Sequence, residues 1–450
     1  MTKVIKLHKG LTISLKGAAE ERKMKLGRVE QFALMPDDFV GLTPKVVVRE
    51  GVHVQAGEPL FVNKRCPDVG FASPVSGVVT AVVRGDRRKV LRVVVDADEE
   101  QSYVDFGKRD VASLSGDDVK QTLLKAGLFG FMNQLPYAVT ATPDVEPKAI
   151  FVSALRDMPL ACDFSFELKG NETAWQAGLT ALSKMAPVYV GIGKQQKAKA
   201  LTDAKDVTVT VFDGECPAGN VGVQVNHLAP VNKGEVVFTV DPTVVIFIGR
   251  LFTEGKVDLT RTIAIAGSQV TSPEYIDAKV GTPLRSLLEG NLVRTDHIRI
   301  INGNPLTGTV SSMDDFLGAH TSEVTVIPEG DSADEFLGWI LPRPKQFSAS
   351  RSYMGWLLGK RRKYDLDARI KGGERHMIMS GEYDKVFPMD IYPEYLIKAI
   401  LAKDIDKMEQ LGIYEVAPED FALAEFVDSS KLPLQRIVRE GLTMLQKENA

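Results

Sequence analysis

The order of apolar and polar residues changes character several times along the 450-residue chain. From residue 44 to residue 95, short β-branched runs alternate with glycine-containing turns, which is typical of an all-β module. Predicted strands and helices then alternate between residues 111 and 257. Trp175, Leu179 and Leu182 form one apolar stripe of a predicted helix, and residues 149–153 predict a buried strand. This alternation predicts a Rossmann-like, parallel α/β sheet.

Residues 262–327 combine predicted strands with one short helix, for which Thr282 is the expected N-cap and Pro283 the first helical residue. This combination resembles the soluble-ligand-binding β-grasp module. His227 is predicted to lie in a hairpin-like β segment. Beyond residue 336 the pattern becomes helical, and amphipathic helices are predicted around residues 393–403, 418–426 and 434–448.

The N-terminal β module has the phrases EGVHVQAGEPL from Glu50 and SPVSGVV from Ser73. These phrases resemble the barrel-sandwich hybrid of biotinyl and lipoyl carrier domains, which present a modified lysine at a hairpin tip between them. Lys64 is the one candidate, but its neighbours Asn63 and Arg65 differ from those of the carriers. We therefore expect the scaffold without a covalently bound group.

These patterns predict a multi-domain α/β and β protein with four parts. The expected domains are a barrel-sandwich hybrid domain over residues 1–110, a Rossmann-like domain over 111–257, a β-grasp domain over 258–330 and a C-terminal helical domain over 331–450.

Composition excludes several classes of function. Lys and Arg number 55 against 59 Asp and Glu, so a net charge of −4 gives no basic field for nucleic acid. Cys66, Cys162 and Cys216 are too widely spaced for a self-contained zinc or iron–sulfur site. Apolar runs stop far short of the roughly 20 residues of a membrane span. No transmembrane helix and no metal site are expected.

The segment after the first predicted helix of the α/β region carries the candidate ligand site. Its position resembles the glycine-rich flavin loop in the FMN-binding subunit of respiratory complex I and in the C subunit of Rnf complexes. Phe131, Met132, Asn133 and Gln134 replace the glycines, so the backbone is no longer open to a phosphate. An apolar, aromatic loop suits a quinone ring instead. The candidate quinone-binding residues are Phe129, Phe131, Asn133, Gln134, Leu135 and Tyr137; packing of the sheet edge is the alternative role.

A second loop has part of a dinucleotide-binding pattern. Gly191 and Gly193 follow a predicted strand, and Asp213 ends the next one. Gln196 occupies the position of the third glycine, which favours an ordinary turn over an NAD site.

The C-terminal region combines two features. The segments from Ser380 and Val416 resemble the paired cluster-binding runs of two-cluster ferredoxins, but every ligand cysteine is absent. A ferredoxin-like helical domain without clusters is expected, held by residues such as Phe387, Met389, Phe421 and Phe426. Upstream, the apolar and aromatic residues 354–358 are followed by four cations. This composition suits docking on a membrane subunit or an anionic surface. The candidate docking residues are Trp356, Lys360, Arg361, Arg362 and Lys363. A flexible charged linker has the same composition.

The order of these parts is similar to one family throughout the chain. The phrases KGLTISLKG from Lys9, GNVGVQVNHLAPVNKGEVVFTV from Gly219 and IGRLFTEGKVDL from Ile248 resemble the A subunits of bacterial sodium-translocating NADH:quinone oxidoreductases. The resemblance implies a peripheral subunit on the cytoplasmic face of the bacterial inner membrane. It also implies a contribution to quinone binding, coupled by the complex to Na⁺ export.

The same resemblance implies that flavins, iron–sulfur centres and NADH oxidation belong to other subunits, so no catalytic residue and no cofactor besides the quinone are expected in this chain. Its partners would be the other subunits, above all a membrane-embedded one that holds quinone or FMN, and the isolated chain would have no activity. The alternatives are a structural scaffold and a flavin- or NAD-binding electron-transfer subunit of an Rnf-like complex.

Overall fold

The computed structural model describes residues 3–331, 343–344, 346–349, 351, 353–358 and 362–449, with the side chains of residues 356 and 358 left out. The N-terminal β module consists of two small sheets that enclose one core. Buried Leu34, Phe61 and Phe71 belong to this core, as the apolar positions of the strands predict. In hydrogen-bonding order, the strands are Gln31–Leu34, Val90–Ala97, Gly77–Arg84 and His53–Val54 in one sheet, and Pro44–Val46, Pro59–Asn63 and Cys66–Ala72 in the other.

The second sheet has seven strands, of which five neighbouring ones run parallel. In spatial order these strands are Lys3–Lys6, Thr208–Asp213, Val188–Gly193, Ile150–Ser153, Val237–Thr239, Asn133–Leu135 and Val139–Thr140. The two strands that follow Ile150–Ser153 in the sheet, Val188–Gly193 and Thr208–Asp213, are added on one side of it. The next strand, Val237–Thr239, pairs on its other side. The strand order therefore reverses between these two strands.

Helices cover this sheet, and two of them pack with their backbones in contact. The helices are Gly116–Lys125, Phe164–Leu168, Glu172–Ser183, Lys199–Thr202, Val221–Leu228 and Pro242–Glu254. A Cβ on Gly178 would lie 2.0 Å from the Val245 carbonyl oxygen, and one on Gly249 would lie 1.7 Å from that of Ala174. Only glycine permits this approach between the helices Glu172–Ser183 and Pro242–Glu254.

The third sheet has six strands around one short helix, Leu284–Leu288. Its strands, in spatial order, are Thr309–Ser311, Ile298–Asn302, Glu323–Pro328, Thr260–Ala266, Glu274–Lys279 and Glu20–Met24. Pro283, and not Thr282, occupies the N-cap position of the helix. The Thr282 hydroxyl instead donates a hydrogen bond to the Lys279 carbonyl oxygen at 2.8 Å, which closes the preceding turn.

The first 24 residues do not follow the predicted boundary of residues 1–110. The strand Lys3–Lys6 pairs in parallel with Thr208–Asp213 at the edge of the α/β sheet. The strand Glu20–Met24 pairs with Glu274–Lys279 at the edge of the six-stranded sheet. Both strands are mostly exposed and are held by backbone hydrogen bonds. Their sequences therefore contain no hydrophobic pattern from which the neighbouring strands could be predicted.

The C-terminal region folds into a helical unit with its own core. Phe387, Met389 and Phe421 are buried there as predicted, whereas Phe426 is only partly buried against this core. Its helices are Tyr383–Val386, Pro393–Ala402, Ile405–Gln410, Ala422–Val427 and Leu434–Glu448. Short 3₁₀ helices occur across the chain at Pro36–Asp38, Asp86–Arg88, Val111–Ser113, Phe129–Phe131, Met354–Leu358, Ile413–Glu415 and Pro418–Phe421.

Asp38 joins the N-terminal β module to the six-stranded sheet. Its carboxylate accepts a hydrogen bond from the Ala319 amide at 2.8 Å. Burial raises the pKa of Asp38 to about 7, despite this hydrogen bond. The folded protein therefore holds the proton of Asp38 more tightly than the unfolded chain does, and this group's contribution to stability falls as the pH rises from about 4 to about 7.

We expect Asp38→Asn to reduce the pH dependence of stability. The amide keeps an acceptor for Ala319 but cannot ionise, so the variant should gain stability relative to the parent at pH 8 and not at pH 5. Urea unfolding at both pH values should show that the parent loses at least about 1 kcal/mol more than the variant between them. Equal pH dependence in the two proteins would contradict this assignment.

Candidate functional site

The aromatic residues at the start of the candidate loop lie in the protein core. Phe129 and Phe131 belong to the 3₁₀ helix Phe129–Phe131 and are fully buried. The ring of Phe131 makes edge contacts with Phe39 at 5.2 Å and with His320 at 5.8 Å, measured between ring centroids. Phe131 therefore sits where the N-terminal module, the α/β sheet and the six-stranded sheet meet.

The next three candidates form the strand Asn133–Leu135, so their side chains alternate between its faces. Gln134 is buried, and its side-chain oxygen accepts a hydrogen bond from the Thr142 amide at 3.0 Å. Leu135 is buried in a separate cluster with Phe151. Asn133 is half-buried.

Tyr137 lies against the C-terminal helices. Arg439, from the helix Leu434–Glu448, donates hydrogen bonds to the carbonyl oxygens of Tyr137 at 2.7 Å and of Ala138 at 2.9 Å. The hydroxyl of Tyr137, which is half-buried, accepts from the side-chain amide of Asn449 at 3.3 Å. The six candidates are therefore close in the chain, but the four apolar or aromatic ones pack into three different cores. Asn133 and Tyr137 are the two that keep partly accessible side chains.

The positions that would hold a dinucleotide make internal contacts instead. A Cβ on Gly191 would lie 2.0 Å from the side-chain oxygen of Gln224, so this glycine makes room for a neighbouring helix. Asp213 accepts a hydrogen bond from Lys194 at 2.8 Å. Gly191 and Asp213, two residues of the dinucleotide-like pattern, therefore have structural roles within the protein.

A buried polar cluster stands where the strand order of the α/β sheet reverses. Arg156 follows the strand Ile150–Ser153, and Asp241 follows Val237–Thr239. The Arg156 guanidinium donates to Glu167 at 3.0 Å, to Asp241 at 3.2 Å and to the hydroxyl of Thr243 at 3.0 Å. Open α/β sheets bind ligands at such a reversal, beyond the carboxyl ends of the strands. The sequence patterns predicted the strand at residues 149–153 but did not single out this cluster.

Neighbouring charges keep Arg156 and Asp241 in their ionised forms. Burial works to raise the pKa of Asp241, but Arg156 and Arg261 outweigh it, and the pKa lies below its ordinary value. Burial likewise works to lower the pKa of Arg156, but Asp241 and Glu167 outweigh it, and this pKa lies above its ordinary value. Both groups are therefore ionised at neutral pH.

His320 connects the polar cluster to the aromatic core around Phe131. Burial lowers the pKa of His320 to about 4, against the attraction of Asp241, so the imidazole is neutral at pH 7. Its Nε2 atom is buried and has no hydrogen-bond partner among the described residues.

The predicted docking segment is described only in part. Lys360 and Arg361 lie outside the described residues, as does the side chain of Trp356. Arg362 donates to the Pro344 carbonyl oxygen at 2.9 Å and lies over the Tyr364 ring, while Lys363 is exposed. At least one of the four cations therefore has a structural role in addition to any docking role.

Neither a metal-binding group nor a spanning helix is present in the part of the chain that the structure describes. No three His, Cys, Asp or Glu side chains there converge on one point. Every helix within those residues is too short or too polar to cross a bilayer. Cys66, Cys162 and Cys216 are free thiols.

Comparison with known proteins gives the family. Family models match in three places: the NqrA N-terminal barrel-sandwich hybrid domain at residues 5–98, the NqrA second alpha/beta domain at 114–257 and the NQRA C-terminal domain at 262–312. The A subunit of the Na(+)-translocating NADH-quinone reductase from Neisseria meningitidis serogroup B is 32% identical over 99% of this chain and 100% of the relative. The protein of the same name from Yersinia pestis bv. Antiqua is 34% identical with the same coverage. The chain belongs to the NqrA family, the A subunits of Na(+)-translocating NADH-quinone reductases.

This membership confirms the resemblance seen in the sequence, and the matched models confirm a barrel-sandwich N-terminal part and a β-grasp part of the soluble-ligand-binding type. Among solved structures, an NAD⁺-reducing [NiFe]-hydrogenase in the H₂-reduced state aligns with 68% of this chain and 55% of its own at 11% identity. Its TM-score of 0.33 is too low to establish a shared fold.

Proposed function

We propose that this chain is the A subunit of a sodium-translocating NADH–quinone reductase. In this proposal it is a peripheral subunit that contributes to quinone binding and reduction, coupled by the complex to Na⁺ export. The observation that carries the proposal is the similarity of 32–34% over 99% of the chain to proteins of that name. The chain acts as part of an oxidoreductase, without a flavin or iron–sulfur centre of its own, and has no activity when isolated.

The finer parts of the proposal rest on the sequence resemblance. The chain binds at the cytoplasmic face of the bacterial inner membrane to a membrane-embedded subunit that holds quinone or FMN. The α/β sheet derives from a Rossmann-like nucleotide-binding fold, and the C-terminal helices derive from a ferredoxin-like domain that has no clusters. The domain limits 111–257, 258–330 and 331–450 belong to this proposal as well.

In this proposal the quinone head group binds on the accessible side of the loop. Because Phe129, Phe131, Gln134 and Leu135 are buried, they act by packing under the loop. Asn133 and Tyr137 retain accessible surface, and they supply an amide and an aromatic ring for a quinone head group. Arg439 binds the backbone carbonyl oxygen of Tyr137, and Asn449 donates a hydrogen bond to its hydroxyl at 3.3 Å.

Purification of the tagged chain from membranes in mild detergent tests the assignment. We expect the chain to bring with it membrane subunits that carry flavin and iron–sulfur centres, and the complex to reduce quinone with NADH in a Na⁺-stimulated manner. A chain that purifies alone from intact membranes, or with a complex that does not reduce quinone, would contradict the proposal. A complex that is fully active after removal of this chain would favour a structural scaffold.

The same purification also tests the docking role of the basic segment, by comparing a variant of that segment with a control variant. Neutralising Lys360, Arg361, Arg362 and Lys363 together should reduce recovery of the membrane subunits, because each cation contributes about 1 kcal/mol near an anionic surface. The control variant neutralises four exposed lysines elsewhere, namely Lys45, Lys64, Lys197 and Lys199. Equal recovery with both variants would remove the docking role.

A further inference from the structure

The candidate quinone loop ends in a hairpin tip whose backbone conformation is rare for residues other than glycine. The strands Asn133–Leu135 and Val139–Thr140 pair antiparallel, and residues 136–138 form the turn between them. Tyr137 has a φ of 80° and Ala138 has a φ of 47°, so two consecutive residues lie in the left-handed region. This conformation costs free energy and persists only where neighbouring groups enforce it. Such residues are concentrated at ligand-binding and catalytic sites.

Arg439 contacts this tip from the C-terminal helix Leu434–Glu448. Its two terminal nitrogens donate hydrogen bonds to adjacent backbone carbonyl oxygens, to that of Tyr137 at 2.7 Å and to that of Ala138 at 2.9 Å. The planar guanidinium keeps its donors at a fixed separation, so the two bonds together fix the relative orientation of the two peptide groups. Because the backbone sets the direction of the Cα–Cβ bond, these bonds also limit where the Tyr137 ring can lie.

The charge of Arg439 makes these two hydrogen bonds effective. The side chain is half-buried, and burial lowers the pKa of Arg439 against the attraction of Glu419. An arginine nevertheless stays protonated at neutral pH. Hydrogen bonds from a charged donor are stronger than those between neutral groups, and partly buried charges are screened less by salt. The two bonds therefore oppose relaxation of the strained turn.

Other contacts hold the C-terminal helical unit against the α/β sheet. The side-chain amide of Asn220 donates to the carbonyl oxygen of Glu419 at 3.1 Å. The side-chain amide of Asn226 donates to the carboxylate of Glu415 at 2.7 Å. Since these contacts do not involve Arg439, loss of the Arg439 side chain should release the hairpin tip and leave the unit docked.

We propose that Arg439 is a positioning residue for quinone binding, which holds the hairpin tip in the conformation that presents the Tyr137 ring to the quinone head group. This inference rests on the proposed quinone site at the loop. It adds that the site is complete only while the C-terminal helical unit is docked against the hairpin, because the residue that shapes the tip belongs to that unit.

Two measurements on the full chain test the role of Arg439, and the first of them needs no quinone. The amides of Thr140 and Ala141, close to the tip, are hydrogen-bonded at 2.9 Å. In Arg439→Met we expect both amides to exchange with solvent at least about tenfold faster than in the parent. Calorimetric titration with a short-tailed, water-soluble ubiquinone should show binding at least about tenfold weaker. A tip that adopts the binding conformation about one-tenth of the time lowers the apparent affinity by this factor.

The conservative variant Arg439→Lys separates positioning from a loss of folding. It keeps the charge and can donate to the same carbonyl oxygens, but it lacks the fixed pair of donors, so binding should recover to within about threefold of the parent. In the intact complex, Arg439→Met should raise the KM for quinone about tenfold and change kcat less than KM. Arg436→Met is the matched control, because Arg436 lies on the same helix with a side chain that is 69% exposed. It should alter neither exchange at the tip nor quinone binding.

The outcomes distinguish failure of the positioning role from failure of the quinone site. Unchanged exchange near the tip in Arg439→Met would overturn the inference, whatever the quinone affinity. Faster exchange with unchanged affinity would overturn it as well, and Tyr137→Ala then shows which part has failed. If Tyr137→Ala weakens binding and Arg439→Met does not, the quinone site stands without the positioning role. If neither variant weakens binding, the proposed quinone site fails together with the inference.

Discussion

Replacing Arg156 by Met should lower the free energy of unfolding by about 3–5 kcal/mol, because removal of one partner from a buried ion pair leaves the other charge uncompensated. Glu167 is 1% exposed and loses its cation, while Asp241 keeps only Arg261, at 3.7 Å. Urea unfolding at pH 7.5 measures the loss.

Lys194→Met is the matched control, since it removes a cation from the same side of the α/β sheet. Lys194 pairs with Asp213 at 2.8 Å, but its side chain is 66% exposed. Exposed ion pairs contribute about 0–1 kcal/mol, so this variant should unfold almost as the parent does. A loss below about 1 kcal/mol in Arg156→Met would show that the cluster is not required for stability.

Amphipathic helices were the part of the fold most accessible to prediction from sequence. The last helix, Leu434–Glu448, has the predicted limits, because Ile437, Val438 and Leu442 recur on one face and decide its orientation. The capping box of Ser115 and Asp118 also forms as its residue types predict. These features depend on neighbours in the sequence, so no knowledge of the tertiary fold is needed to find them.

The segment around His227 shows where local patterns fail. Its prediction as a β hairpin was wrong, because residues Val221–Leu228 form a helix. Alternating valines favour a strand, but Gln224 donates to the hydroxyl of Ser153 at 2.8 Å and fixes this helix against the sheet. A distant hydrogen bond and packing on the sheet override the local preference.

The polar cluster was beyond prediction for a different reason. Arg156, Glu167, Asp241 and Arg261 come from four separate segments, and the pairing of sheet strands brings them together. The strand at residues 149–153 was predicted, but its adjacency to Val237–Thr239 follows from a strand order that the sequence does not display. The buried state of Phe131 was hidden in the same way, because its neighbours Phe39 and His320 belong to other parts of the fold.

Phe131→Ala should lower the free energy of unfolding by about 3–5 kcal/mol, because it leaves a cavity in a closed core between three parts of the protein. Phe131 is fully buried, and Phe39, Phe247 and His320 surround its ring. Urea unfolding measures this loss. Weaker quinone binding by this variant would not identify a contact, since loss of the core is sufficient to disturb the loop.

Tyr137→Ala separates quinone contact from core packing. Because Tyr137 is half-buried and Arg439 holds its backbone, the variant should lose less stability than Phe131→Ala. It should weaken binding of a water-soluble quinone analogue at least about tenfold, as expected for an aromatic contact worth about 2 kcal/mol. Tyr189→Ala is the control, since Tyr189 is also half-buried but stacks on Phe151 within the sheet. If the Tyr137 and Tyr189 variants bind the analogue as tightly as the parent, the quinone site lies outside this loop, and the aromatic residues from 129 to 137 serve packing alone.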